Sequence, residues 1–277
     1  MERGSRGTRR WLGAGVGLLA AIAVTGSVVA AVQTGSQHGH SQHGHRPASH
    51  DAAGPGGPAQ DRLGPVLLVP GYGGGTGSLD SLASRIRARG RRATVLHLPG
   101  SGTGSLVADA ALLNAAVNRA LASGAPSVDV IGYSAGGVVA LIWARRDDGA
   151  AKARRVITLG APFHGTQLAA AAAALLPGEC PAACRQLVPG SALLSSLAVA
   201  RATGLPRWLS LWTTNDEVVM PPTSARLPGA IDEPVQAVCP ALTVSHSQLP
   251  ASPPVVAMVL AALGRTPLAR PAAADCR

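Results

Sequence analysis

Gly132-Tyr133-Ser134-Ala135-Gly136 is the stretch whose residue types and spacing point most directly to chemistry. It follows the apolar run Val128-Asp129-Val130-Ile131 and precedes Val138-Val139-Ala140-Leu141-Ile142-Trp143, which reads as a strand, a sharp turn and a helix. Such a turn lifts a serine hydroxyl clear of the backbone, and flanking glycines let neighbouring chain come close. A helix N-terminus beside the serine favours negative charge developing there. A serine hydroxyl is a weak nucleophile until a base takes its proton. On a strand–serine–helix turn the acid, and then the base, follow the serine along the chain. Five of the eight histidines lie before residue 51, His97 also precedes the serine, and His164 comes before any plausible acid. His246, in Val244-Ser245-His246-Ser247-Gln248, remains and is the expected base.

The acid must lie between Ser134 and His246 and hold the imidazole tautomer. Asp147 and Asp148 end the helix after Ser134 and read as solvated; Glu179 sits in a cysteine loop; Asp232 and Glu233 precede Pro234 in an expected turn. Asp216 directly follows the apolar run 208–214, at the carboxyl edge where ligand sites of parallel sheets form. Asp216 is therefore the expected acid, with Glu217 the near alternative. An oxyanion formed at Ser134 needs two backbone N–H donors. Ala135 supplies one, and Tyr72, in Val69-Pro70-Gly71-Tyr72-Gly73-Gly74, is expected to supply the other. Those glycines also read as a plain flexible turn. Phosphate binding does not fit, because neither G-x-x-x-x-G-K-[ST] nor G-x-G-x-x-G is present.

The elements that must position these groups are legible as alternating periods. Short apolar runs at 66–69, 93–98, 128–131, 156–159, 209–213 and 235–243 read as strands. Helical patterns fill 79–89, 106–123, 136–145 and 254–263. Alternation of this kind predicts an α/β fold with a mainly parallel central sheet and helices on both faces. The connection 166–206, about forty residues, is long for one crossover. Its segment 168–176 is nearly all Ala and Leu, so a helix there has no polar face and must be buried or meet an apolar ligand. A second amphipathic helix after Pro189-Gly190-Ser191 carries Leu193, Leu194 and Leu197 on one side.

Lys+Arg 24 against Asp+Glu 14 gives a net charge of +10, nearly all of it arginine. The arginines are scattered and aromatics are few, which argues against a nucleic-acid partner and leaves contact with anionic envelope surfaces open. Arg3, Arg6, Arg9 and Arg10 precede an uncharged run over 11–32, so residues 1–32 read as a cleaved signal peptide or a retained N-terminal membrane anchor. Either places the remainder outside, secreted or on the outer face of the cytoplasmic membrane. Residues 33–64, rich in His, Gly and Pro, read as a disordered linker that could hold metal only loosely. The catalytic domain is expected over 65–268, with a tail at 269–277. Cys180, Cys184, Cys239 and Cys276 fit an oxidising compartment and disulfides. Three pairings are open, and sequence proximity favours Cys180–Cys184 with Cys239–Cys276.

Taken together, these motifs resemble the bacterial secreted lipases and esterases of the α/β-hydrolase fold. The resemblance rests on Val-Pro-Gly71-Tyr-Gly-Gly, Gly-Tyr-Ser134-Ala-Gly-Gly, Leu159-Gly-Ala-Pro-Phe-His164-Gly-Thr, Thr-Asn-Asp216-Glu-Val-Val and Val-Ser-His246, and spans residues 65 to 265. Cys180-Pro-Ala-Ala-Cys184-Arg-Gln-Leu resembles a segment that carries a disulfide in secreted members. Pro70 departs from the pattern, since many relatives place a histidine there. The resemblance implies a monomeric serine carboxyl-ester hydrolase acting on lipid or acyl esters with no cofactor, His164 being scaffold. The competing reading is a non-catalytic cell-surface binding protein on the same fold, which would have no need of a complete, ordered Ser–Asp–His set.

Overall fold

Largely apolar runs of three to seven residues, buried in the middle of the sheet and only partly so at its two edges, belong to a sheet covered on both faces. In the computed structural model, which describes residues 57–199 and 204–276, they form one parallel sheet. Its strands are β1 (Val66–Val69), β2 (Ala93–Val95), β3 (Val128–Tyr133), β4 (Ala153–Leu159), β5 (Arg207–Trp212) and β6 (Ile231–Pro234). Their order is β2-β1-β3-β4-β5-β6, every pair parallel. Helices α1 (Gly77–Ala88) and, late in the chain, α9 (Pro253–Ala262) pack on the face of Leu68, Ile131, Ile157 and Leu209. Helices α2 (Leu106–Ala122) and α3 (Ala135–Arg146) pack on the face of Val69, Val130 and Val156, and the one-turn helix α4 (Gly149–Lys152) leads from α3 into β4. The α/β architecture with helices on both faces is the expected one.

The sixth strand differs from its sequence reading. The segment 235–243 was expected to be extended, yet Val235–Val238 is a short helix, α8, and β6 is the stretch just before it. Asp232 and Glu233 are strand residues rather than turn residues. Two valines suggested a strand, but Val235 and Val238 are three apart and both face the core, which is a helical spacing. Pro234 has no N–H to give, which an edge strand tolerates. Strand β4 starts earlier than its apolar core because Arg154 and Arg155 are buried within it.

That burial is made tolerable by Asp129 on β3. Its carboxylate accepts from Arg91 Nη1 at 2.7 Å and from Arg154 Nε at 3.0 Å, with a further bond from Arg154 Nη2. These two guanidinium groups and that of Arg155 donate to carbonyls at the end of α9: Arg91 and Arg154 to Leu263, Arg154 to Gly264 and Arg155 to Ala262. A helix C-terminus carries unpaired carbonyls and partial negative charge, so cations belong there. Arg154 also donates to the carbonyl of Gln60, whose side chain accepts from Arg155, so the chain is already held before the expected boundary at 65. Removing one member of a buried ion pair strands the other, at about 3–5 kcal/mol. Asp129→Ala is expected to lower unfolding stability by that amount, read from the urea midpoint; a midpoint equal to wild type would contradict the clamp.

Both favoured disulfides are present, Cys180–Cys184 and Cys239–Cys276. The second joins the residues after α8 to the segment expected as a tail. The expected signal or anchor, and the His-rich part of the linker, lie outside the described residues. Among the described residues no helix is long and apolar enough to cross a membrane.

Candidate active site

Ser134 stands between β3 and α3 with φ 53° and ψ −128°, a backbone region that non-glycine residues seldom occupy. Strain of this kind persists only where the surroundings impose it. Here Ser134 N–H donates to Leu159 O at 2.9 Å, and Ser134 O accepts from Gly137 N at 2.9 Å. The turn is also wedged against β1: a methyl group on Gly136 would lie 2.2 Å from the Val69 carbonyl oxygen. Gly71 closes on the serine from the other side, where an added Cβ would lie 2.9 Å from Ser134 Cβ and 3.4 Å from Oγ. The loop 69–74 thus runs directly past the hydroxyl, with Tyr72 as its next residue and its side chain exposed. Ala135 is the first residue of α3 and is buried.

His246 arrives from the loop after α8 and lies against the same end of β4. An added Cβ on Gly160 would sit 3.0 Å from its Nδ1 and 3.1 Å from its Cε1. Nδ1 is 2.8 Å from Asp216 Oδ2, and both residues are buried. The other oxygen of Asp216 accepts from the backbone N–H of Val218 and Val219 at 3.0 and 2.7 Å. With Nδ1–H given to the carboxylate, Nε2 is the nitrogen left to accept a proton. The structure therefore joins Asp216 to His246 and brings both to the strand end that holds Ser134. Asp147, Asp148, Glu179 and Asp232 are elsewhere: Asp147 accepts from Asn114, and Asp232 from the N–H of Leu227.

Several groups that sequence reading did not assign fix this arrangement. The Tyr133 hydroxyl donates to the His246 carbonyl at 3.3 Å and its ring lies 5.2 Å from the imidazole. Burial, then Asp216 and Glu217, push the Tyr133 phenol up to about 12, so it stays a donor at any working pH. Glu217, weighed only as the alternative acid, accepts from His246 N–H at 3.1 Å. Thr213 Oγ1 donates to Val244 O at 2.7 Å and accepts from Asn215 N–H and Gln236 Nε2, tying the acid loop to the histidine loop. Tyr133 and Glu217 adjoin the motif residues, so their place beside the site follows from the sequence pattern. Gln236 had no local signal, because its partners lie 6 to 23 residues away.

The long connection holds α5 (Gln167–Leu175), α6 (Ala182–Gln186) and α7 (Ala192–Val199). Leu194 and Leu197 of α7 are buried as their spacing implied. Helix α5 is not: Ala169 is its one buried residue, and Leu168, Leu175 and the residue after its end, Leu176, are 55%, 78% and 59% exposed. Its N-terminus is pinned beside the acid loop, since Thr166 Oγ1 donates to Val218 O and accepts from Met220 N–H.

A serine at a strained strand–helix turn, beside a buried His–Asp pair, has the parts needed for nucleophilic acyl transfer. A family model of the α/β hydrolase fold matches residues 64–181. The chain has the α/β-hydrolase fold. Among solved structures that share this hydrolase fold, lipase BlEst2 of Bacillus licheniformis in its mature form is 20% identical, with a TM-score of 0.52 over 66% of this chain and 84% of that one. Lipase B of Aspergillus fumigatus is 17% identical, with a TM-score of 0.60 over 76% of this chain and 55% of that one. The product of lin2722 from Listeria innocua is 14% identical, with a TM-score of 0.52 over 76% and 97%. At these identities the likeness is one of fold. No curated protein matches the sequence.

Proposed function

We propose that the protein is an exported serine hydrolase of carboxyl esters, acting on lipid or acyl esters through Ser134, His246 and Asp216. The observation that carries this reading is the buried 2.8 Å contact between His246 Nδ1 and Asp216 Oδ2, at the strand end that also holds the strained Ser134. Ser134 Oγ attacks the acyl carbon while its proton passes to His246 Nε2. The tetrahedral oxyanion meets the N–H groups of Ala135 and Tyr72. Collapse breaks the ester bond, and the leaving alcohol takes the proton from His246. Water then repeats the sequence on the acyl-enzyme, releasing the acid and restoring Ser134. An alcohol in place of water would give acyl transfer by the same steps. Two disulfides agree with export to an oxidising compartment, and lipase neighbours agree with ester substrates.

In this reading α5 is the mobile wall of the acyl pocket. A helix that exposes Leu168 and Leu175, with Leu176 exposed just beyond it, and no charge is suited to an apolar chain rather than to water. The test is a series of p-nitrophenyl esters of increasing acyl length. Wild type is expected to hydrolyse them, and Leu175→Asp is expected to lose about tenfold or more on long chains while short-chain turnover and melting temperature stay unchanged. Leu175 is exposed, so its replacement should cost stability little. Equal loss on both chain lengths would rule out the wall role, and no turnover of any ester would rule out the esterase.

A further inference from the structure

Charge is distributed unevenly between the two edges of the sheet. Helix α1 runs back against the strands, so its last turn reaches the amino edge, where β2 begins. Arg85, Arg87, Arg89 and Arg92 stand exposed on that turn and on the link to β2. The ion pairs among the described residues are Arg91–Asp129, Arg154–Asp129, His246–Asp216 and Arg270–Glu233, so none of these four has a carboxylate partner. Arg87 makes only neutral contacts, to Ala93 O and Ser84 Oγ. The one acid of α1, Asp80, sits in its first turn at the opposite edge. Asp129 is already committed to Arg91 and Arg154. Across the sheet, Asp147 and Asp148 at the end of α3 are flanked by Arg145, Arg146 and Lys152. The carboxyl edge, by contrast, holds Asp216 and Glu217 beside His246, with Arg226 lying over the Trp212 ring at the end of β5.

The chain also enters the fold on the basic edge. Gly64 O accepts from Arg91, and Val66 N–H donates to Arg92 O. We propose that this edge docks the protein on a bilayer rich in acidic phospholipid, with Arg85, Arg87, Arg89 and Arg92 at the headgroups and the Ser134 edge turned outward. The guanidinium fork matches a phosphate oxygen pair. Each cation held near an anionic leaflet raises partition about fivefold. The attraction acts within about a Debye length, roughly 10 Å, so it selects the face that carries the charge and thereby sets orientation. Stretch 77–92 holds no aromatic residue on which bases could stack, which favours lipid over nucleic acid.

The test is co-sedimentation of the full chain with phosphatidylglycerol–phosphatidylcholine vesicles, with phosphatidylcholine vesicles as the baseline for charge-independent partition through residues 11–32. Wild type is expected to gain partition with phosphatidylglycerol and to lose the gain in high salt. Replacing all four edge arginines by glutamine is expected to cut that gain by about six-hundredfold, and replacing all four by lysine should preserve most of it. Soluble-ester turnover should be unchanged in both, since the four side chains are exposed and on the edge opposite Ser134. Full retention in the glutamine variant would overturn the proposal. So would loss of the whole gain on replacing Arg3, Arg6, Arg9 and Arg10 instead, equal losses in the glutamine and lysine variants, or equal binding to a phosphate-matched DNA duplex.

Discussion

Ser134→Ala is expected to lower turnover of a soluble short-chain ester by about 10⁶-fold, with urea midpoint and circular dichroism unchanged. The size follows from the division of labour at the site. Without the hydroxyl there is no acyl-enzyme, and the remaining rate comes only from the oxyanion donors and binding. The fold should survive, because Ser134 is held by its backbone bonds to Leu159 and Gly137, which alanine retains. Its positive φ remains strained in either variant. His246→Ala should fail to a similar degree, since the serine then has no base. The double variant should be little worse than either single one, because the two residues act as one unit. Activity at the wild-type level in Ser134→Ala would end the assignment, and additive losses would show that the residues act separately.

Asp216→Asn is expected to cost about 10⁴-fold, a fall typical of imposing the wrong imidazole tautomer. Asp216 Oδ1 accepts from two backbone N–H groups, so an asparagine keeps its carbonyl oxygen there and turns its NH₂ toward His246. Nδ1 must then accept, which places the ring proton on Nε2, where the serine proton has to go. Glu217→Gln should cost far less, because the amide oxygen can still accept from His246 N–H. Asp147→Asn, Asp148→Asn and Asp232→Asn should leave kcat unchanged. If Glu217→Gln proved the damaging change while Asp216→Asn was mild, the acid assignment would be reversed.

The candidate site was legible in the sequence to the extent that its residues are marked by local pattern. Ser134 is flanked by glycines inside a strand-to-helix period, and Asp216 follows an apolar run. His246 emerged from chain order alone. What no local pattern marks depends on contacts between distant segments. Nothing in Val128-Asp129-Val130-Ile131 says that its aspartate will hold Arg91 and Arg154, residues 38 and 25 positions away. Without that pairing two adjacent arginines look like the end of a strand, not its interior. Strand β6 was missed for a related reason: Ile231-Asp232-Glu233-Pro234 is too polar for a buried-strand pattern and forms at the edge by pairing with β5. The Ala/Leu composition of 168–176 leaves two outcomes, burial or an apolar partner, and only the packing of that segment decides that its three leucines stay exposed.

The central claim is that Ser134 is a nucleophile activated by His246, and covalent labelling with a fluorophosphonate tests it most directly. The account predicts one label per molecule, located by peptide mapping on Ser134, abolished in Ser134→Ala and strongly slowed in His246→Ala. A folded wild-type protein that takes no label, or that takes it at another serine, would contradict the account.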